Sequence, residues 1–393
     1  MAGILFTHSY FLRFDPKQWK AQQPYLPLGT LYAAAVANTA GHNISFFDTM
    51  FAERPEDIQP VLEEKKPDYV VIYDDGFNYL TKMCLTNMRE AAFKMASLAS
   101  KSGAKVINCS SDSTDHYELY LKNGSDAVML GEGEETLKEL LYAMENELAL
   151  ESIAGIAFPK DDEIIITPKR PVIRDLDTLP EPLWNLVDIR PYRDAWMTGS
   201  GYFSINYATT RGCPFKCNWC AKPIYGNRYN SHSPARVVSE LKMLQDLFEY
   251  DQVWFCDDIF GLKPGWVQEF ADLSEAAGLK LKYKIQSRAD LLLQDDTIEA
   301  LARSGADEIW IGAESGSQKI LDAMDKGITT DQIHEATAKM RKYGIKPCFF
   351  LQFGYPGEEK EDIQATIDML LDLMPHNIGI SVSYPLPGTK FYE

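Results

Sequence analysis

Short apolar runs alternating with helix-like segments set the pattern of the first third of the chain. Ile4-Leu5-Phe6, Ile44-Ser45-Phe46-Phe47, Tyr69-Val70-Val71-Ile72, Lys105-Val106-Ile107 and Ala127-Val128-Met129-Leu130 are the strand candidates. Continuous apolar strands separated by helices imply a parallel sheet covered on both faces. Leu28 to Thr39, closed by Ala40-Gly41, and Asn87 to Ser100, ending before Gly103, are two of the expected helices. The pattern predicts an α/β, doubly wound domain over residues 1–147, with its ligand at the carboxyl ends of the strands.

From about Glu151 the pattern changes. Ile153 to Phe158 and Glu163 to Thr167 read as a hairpin across Pro159-Lys160-Asp161-Asp162, and Pro168, Pro171, Pro180, Pro182 and Pro191 follow. Prolines at this density disfavour helix and central strand, so residues 148–198 are expected to form an extended, proline-rich linker. Over residues 199–393 strand and helix alternate again. The strand candidates are Phe203 to Tyr207, Gln252 to Cys256, Leu281 to Gln286, Glu308 to Ile311, Pro347 to Phe353 and Ile378 to Val382. The helix candidates are Pro234 to Phe248, Trp266 to Ala277, Asp296 to Ser304, Ser317 to Met324, Thr330 to Tyr343 and Lys360 to Leu373. Six such units predict a partial, TIM-like (β/α)6 barrel, with chemistry at the carboxyl ends of its strands.

Composition narrows the function. A chain of 393 residues, 45% hydrophobic, can fill two cores. Its formal net charge of -18 argues against nucleic acid as a partner, since that binding draws on clustered Lys and Arg, and favours a small-molecule substrate. Of seven cysteines, Cys84, Cys109, Cys256 and Cys348 are scattered, which is no disulfide framework and suits a reducing cytoplasm. The first residues lack the basic start and apolar core of a signal peptide, and no run approaches the roughly 20 apolar residues of a membrane span.

The remaining cysteines, Cys213, Cys217 and Cys220, are separated by three and then two intervening residues in Thr209-Thr210-Arg211-Gly212-Cys213-Pro214-Phe215-Lys216-Cys217-Asn218-Trp219-Cys220. Thiolates at that pitch on one short loop can converge on a single metal cluster. A 4Fe-4S cluster takes four Cys ligands, so three with no fourth close by leave one iron open. Zinc knuckles need a fourth ligand, commonly from a second pair, and His232 is a lone nearest histidine.

That spacing resembles the signature of the radical S-adenosylmethionine (SAM) superfamily, and the preceding domain resembles the cobalamin-binding domain that precedes many radical SAM domains. The resemblance implies a 4Fe-4S cluster on Cys213, Cys217 and Cys220, with the open iron chelating SAM. It places Asp257 and Asp258 at the SAM ammonium, Arg288 at its carboxylate and Glu314 at its ribose, with Gln352 in the same set. For cobalamin it implies Pro27, Leu28 and Gly29 at the first helix start, Asp75 and Gly76, Ser110 and Ser111, and the turn Gly131-Glu132-Gly133-Glu134. Each of these is also an ordinary cap or turn residue, and only the set is diagnostic. The Asp-x-His-x-x-Gly motif of corrinoid mutases is absent, and Thr7-His8-Ser9 stands after the first strand, so cobalamin is expected without a protein imidazole.

The implied activity is a cobalamin-dependent radical SAM enzyme that reductively cleaves SAM to a 5'-deoxyadenosyl radical and methylates an unactivated carbon of a small molecule. An external electron donor such as flavodoxin or ferredoxin is implied with it. Alternatives are a non-methylating cyclase or rearrangement enzyme, and a non-catalytic cobalamin sensor or carrier. A tRNA methylthiotransferase fits less well, given the acidic charge. Relatives often continue into a further C-terminal domain beyond the last barrel strand.

Overall fold

The computed structural model describes residues 1–74, 76–77, 85–222, 224–386 and 388–393. The chain divides into two compact units, Met1–Phe203 and Ser204–Glu393.

In the first unit, β1 (Gly3–Thr7), β2 (Asn43–Phe47), β3 (Tyr69–Tyr73), β4 (Lys105–Cys109) and β5 (Ala127–Met129) are parallel. The antiparallel hairpin β6 (Ile156–Lys160) and β7 (Glu163–Ile166) extends the same sheet, giving the order β2-β1-β3-β4-β5-β6-β7. Alternate residues face opposite sides, and both sides are covered. Ile4, Phe6, Val71, Ile107 and Met129 pack with Ala33, Ala34 and Ala37 of helix Leu28–Thr39 and with Leu137, Leu140 and Leu141 of helix Glu134–Glu145. Leu5, Val70, Ile72, Val106 and Val128 pack on the other side with Ala91, Ala92, Met95, Ala96 and Ala99 of helix Leu85–Lys101. This is why these strands read as unbroken apolar runs. Strand order reverses direction between β1 and β3, the switch point at which doubly wound sheets open a ligand crevice.

One expectation for the linker is overturned. Residues Ile189–Ser200 are an α-helix, although Pro191 lies within it. Asp188 caps it by accepting from the Arg190 N–H at 3.2 Å, and Pro191 falls in the first turn, where the missing N–H has no intrahelical partner to lose. The helix is tied to its own unit: the Trp196 indole donates to the Pro24 carbonyl at 2.8 Å, and the Tyr192 hydroxyl to Asp48 at 2.8 Å.

The second unit starts with β8 (Ser204–Tyr207). A two-stranded antiparallel ribbon of β9 (Thr210–Arg211) and β10 (Asn230–Ser231) follows. The strands β11 (Gln252–Phe255), β12 (Tyr283–Ser287), β13 (Ala306–Glu314), β14 (Lys346–Phe353) and β15 (Asn377–Val382) join β8 in a six-stranded parallel sheet. They lie in sequence order from β8 to β15 with at least one helix in each crossover, as a partial barrel requires. Helices Pro234–Phe248 and Lys360–Leu373 keep the bounds the sequence predicts.

Gly305, before β13, has φ +99°, and a Cβ there would lie 2.0 Å from the Leu281 carbonyl oxygen. Gly305→Ala is expected to lower the unfolding free energy measured by urea denaturation by more than about 1 kcal/mol, since a side chain is both strained and obstructed there.

Candidate active site

The cysteine loop leaves the sheet through the β9–β10 ribbon, which the His232 N–H closes by donating to the Thr209 carbonyl at 2.9 Å. Gly212 turns the chain with φ +81°, where a Cβ would stand 2.4 Å from the Arg228 carbonyl oxygen, so glycine is needed just before Cys213. Cys213, Cys217 and Cys220 are partly buried, reduced thiols. The Cys220 N–H donates to the Cys217 carbonyl at 3.2 Å, which makes Asn218 and Trp219 the centre of a turn with a cysteine at each end. Burial pushes the Cys213 thiol up and that of Cys220 to about 12, and the Asp258 carboxylate adds to both. Among the described residues no group of three His, Cys, Asp or Glu side chains is already drawn into metal-binding geometry.

Asp257 and Asp258, after β11, do different things. Asp257 is buried and spends both oxygens on the start of the loop: Oδ1 accepts from the Thr209 and Thr210 N–H groups at 2.7 and 2.8 Å, and Oδ2 from the Thr209 hydroxyl at 2.6 Å. Asp258 is exposed, and its charge reaches the thiols of Cys213 and Cys220. The sequence reading treated the two as one ammonium-binding pair. The geometry makes Asp257 an anchor of the loop, while Asp258 is exposed with its charge near the Cys213 and Cys220 thiols.

Burial raises Asp257 from 3.8 to about 7, against the lowering effect of its hydrogen bonds. A folded value above the ordinary one means that folding takes up a proton, so this carboxyl favours folding less as pH rises through that window. Asp257→Asn is expected to flatten the fall in unfolding free energy between about pH 4 and about pH 7 measured by urea denaturation. Asp257→Ala, which strands two buried N–H donors, is expected to cost roughly 1–3 kcal/mol for each.

Arg288 follows β12, its guanidinium 3.8 Å from the centre of the Phe215 ring in the cysteine loop. It donates from Nε to Asp290 at 2.9 Å and from Nη2 to Asp290 at 3.2 Å and the Gly327 carbonyl at 3.3 Å, while Nη1 is buried with no partner. Glu314 ends β13 in a left-handed conformation, φ +59°. Its Oε1 accepts from Lys326 Nζ at 2.7 Å, and the two side chains are only 6% and 7% exposed. Gly312 admits the pair, since a Cβ there would lie 2.5 Å from Nζ and 2.7 Å from Oε1. Gln352, on β14, is buried with Oε1 unpartnered, and so is the Trp219 indole nitrogen in the cysteine loop. Lys326 carries no signal in the sequence. Asp325-Lys326-Gly327 after a helix looks like an ordinary exposed turn, and only its packing shows a buried cation 5.9 Å from the Trp219 ring.

Buried polar atoms are nearly always hydrogen-bonded. Three that are not, Arg288 Nη1, Gln352 Oε1 and Trp219 Nε1, belong to the cysteine loop and to the carboxyl ends of β12 and β14. The donor set therefore fits a polar, charged ligand beside a thiolate-held cluster.

In the first unit the candidates are more architectural. Pro27 precedes helix Leu28–Thr39 and its carbonyl accepts from the Leu31 N–H at 3.0 Å, with Leu28 and Gly29 buried in the first turn. Ser110 caps the short helix Ser111–Asp115 by a reciprocal pair of 2.8 Å bonds with Ser113. Gly131 has φ +90°, and Glu132 accepts from the Ile173 N–H at 2.5 Å. Gly133 leaves no room for a Cβ, which would meet Cys109 Sγ at 2.7 Å, and Glu134 is buried in the first turn of its helix. Gly76 is partly buried, and Asp75 lies outside the described residues. At the β1/β3 switch point the Ser9 N–H and hydroxyl donate to Asp74 at 2.6 and 2.9 Å, and burial raises that carboxyl to about 6. His8 is buried, Nε2 lying 3.0 Å from Asp48 and Nδ1 3.0 Å from the Thr49 hydroxyl, so both ring nitrogens are engaged inside the unit.

A partial parallel barrel with a three-cysteine loop after its first strand defines the class of the second unit. Residues 207–370 match the radical SAM superfamily, so this stretch of the second unit is a radical SAM domain. It is 27% identical to an uncharacterized methyltransferase of Pyrococcus horikoshii over 93% of this chain and 78% of that protein. It is also 27% identical to the anaerobic magnesium-protoporphyrin IX monomethyl ester cyclase of Synechocystis, over 68% of this chain and 53% of that protein. The fold is similar, at 18% identity and a TM-score of 0.78, to the radical SAM methyltransferase TsrM of Kitasatospora setae with cobalamin and a [4Fe-4S] cluster bound, covering 99% of this chain and 73% of that one.

Proposed function

We propose that this chain is a cobalamin-dependent radical SAM methyltransferase acting on a small molecule. The single observation that carries the reading is the cysteine loop packed against Arg288, whose Nη1 is buried without a partner. When bound, the cluster supplies the electron that cleaves SAM, and the corrinoid supplies the methyl group. Cys213, Cys217 and Cys220 would hold the cluster. Arg288, whose Nη1 is buried without a partner, suits a carboxylate. Asp258 suits an ammonium group, and Gln352 and Glu314 offer acceptors for hydroxyls. Asp257 and Lys326 act one step back, the first on the loop's backbone and the second on Glu314.

The first 147 residues would bind the corrinoid, using the strand ends of β1, β3, β4 and β5, with residues 148–198 as connector and 199–393 as the SAM-binding unit. His8 is held by Asp48 and Thr49, which supports binding without an imidazole from this loop. An external reductase protein such as flavodoxin or ferredoxin would deliver the electron in a reducing cytoplasm. No described helix is long and apolar enough to cross a membrane, and the net charge of -18 disfavours a nucleic-acid substrate.

The similarity to the cyclase supports a second reading, radical chemistry without methyl transfer. The product separates them: a substrate gain of one methyl group against a mass change without it. Anaerobic reconstitution with iron, sulfide and hydroxocobalamin, then desalting, tests the cofactor set. Retained corrinoid absorbance is expected, and a colourless desalted protein would remove cobalamin from the proposal.

A further inference from the structure

Asn218 lies between Cys217 and Trp219, at the centre of the turn whose ends are Cys217 and Cys220. A half-buried turn residue ordinarily leaves some of its polar groups to water. All four of its polar groups are instead engaged. Its N–H donates to the Met324 carbonyl at 3.1 Å, and its carbonyl accepts from the Phe391 N–H at 3.0 Å. Its Nδ2 donates to the Ala323 carbonyl at 2.7 Å, with Asp325 Oδ2 3.4 Å away, and its Oδ1 accepts from the Tyr355 hydroxyl at 2.8 Å.

The orientation of this amide is determined by chemistry. A backbone carbonyl only accepts, so the atom facing Ala323 must be the NH2, which leaves the oxygen toward Tyr355. The neighbouring Trp219 packs with Ile320, Met324, Tyr355 and Phe391, and the Tyr355 and Phe391 rings stack at 5.3 Å. Both central residues of the turn are thereby tied to the segment after β13 and to the turn after β14, opposite the strand from which the loop emerges.

We propose that Asn218 is a positioning residue that fixes the Cys217–Cys220 turn against the far side of the barrel, so that these two thiols are presented together before metal arrives. The proposal rests on the reading that the three cysteines hold an iron–sulfur cluster. Partners that orient metal ligands typically govern affinity by roughly ten- to hundredfold.

The test uses the full chain, reconstituted anaerobically with iron and sulfide, as wild type, Asn218→Ala, Asn218→Asp and Tyr355→Phe. Iron and sulfide retained after desalting, the rate of iron loss to a ferrous chelator and the EPR spectrum of the reduced cluster are recorded, with apo-protein melting as a control on folding. Asn218→Ala is expected to lose iron roughly ten- to hundredfold faster than wild type and to broaden the EPR spectrum. Asn218→Asp, which sets a carboxylate against the Ala323 carbonyl, should behave likewise. Tyr355→Phe removes one of the four bonds and should fall between, which keeps the proposal testable even if the alanine variant fails to fold. Equal iron-loss rates and line shapes in wild type and all three variants would overturn the role of Asn218 alone. A wild-type chain that retains no iron would sink the cluster reading, and this proposal with it.

Discussion

Cys217→Ala is expected to abolish formation of 5'-deoxyadenosine from SAM and dithionite by the reconstituted chain, and to lower the iron retained per chain. The physical reason is the ligand count. A cluster held by three cysteines has no spare protein thiolate close by: the other described cysteines, Cys109, Cys256 and Cys348, are buried in the two cores. Losing one of three ligands should cost more than the roughly hundredfold that loss of even an outer-shell partner can cost. Cys256→Ala serves as the contrast, since that residue stands just after β11 with its thiol 3.3 Å from the Tyr207 carbonyl, and it should retain its iron. Persistent SAM cleavage in Cys217→Ala would remove the cluster from this loop.

Glu314→Ala is expected to destabilise the second unit by about 3–5 kcal/mol, because it leaves the Lys326 ammonium buried with its carboxylate partner gone. Lys326 is 7% exposed, and although burial pushes its ammonium down, the Glu314 carboxylate together with the Cys217 sulfur holds it above the ordinary lysine range. Replacing both members, as Glu314→Gln with Lys326→Met, should recover much of that loss in urea denaturation, since no charge then remains buried alone. If Glu314→Ala unfolds at the wild-type urea concentration, the pair contributes nothing to the fold, and its close packing on Gly312 would need another explanation in ligand binding. Activity is a separate readout, as the double variant should fold and still fail to cleave SAM if Glu314 contacts the ribose.

The sequence revealed most where local chemistry and tertiary packing agree. The unbroken apolar runs of β1, β3 and β4 are buried on both faces, and the same residues that suggested a parallel sheet form its two packed sides. The cysteine loop was equally legible, because its information lies in spacing along one short segment. Helix Ile189–Ser200 was not, since a count of prolines ignores where in a helix a proline falls, and Pro191 sits in the tolerant first turn. Lys326 and Asn218 were illegible for a different reason. Their significance comes from partners across long stretches of chain, Asn218 with Tyr355 and Ala323, and from burial that one polar letter in a turn does not announce. Asp257 and Asp258 were visible as a pair, but their division of labour depends on side-chain direction after β11.

The most direct test of the central claim is to incubate the reconstituted chain anaerobically with hydroxocobalamin, dithionite and SAM bearing a deuterated methyl group, and to analyse nucleosides and corrinoids by mass spectrometry. Formation of 5'-deoxyadenosine, together with a deuterated methyl group on the corrinoid fraction, is the predicted result. A preparation that retains its full iron and sulfide yet yields neither product would contradict it.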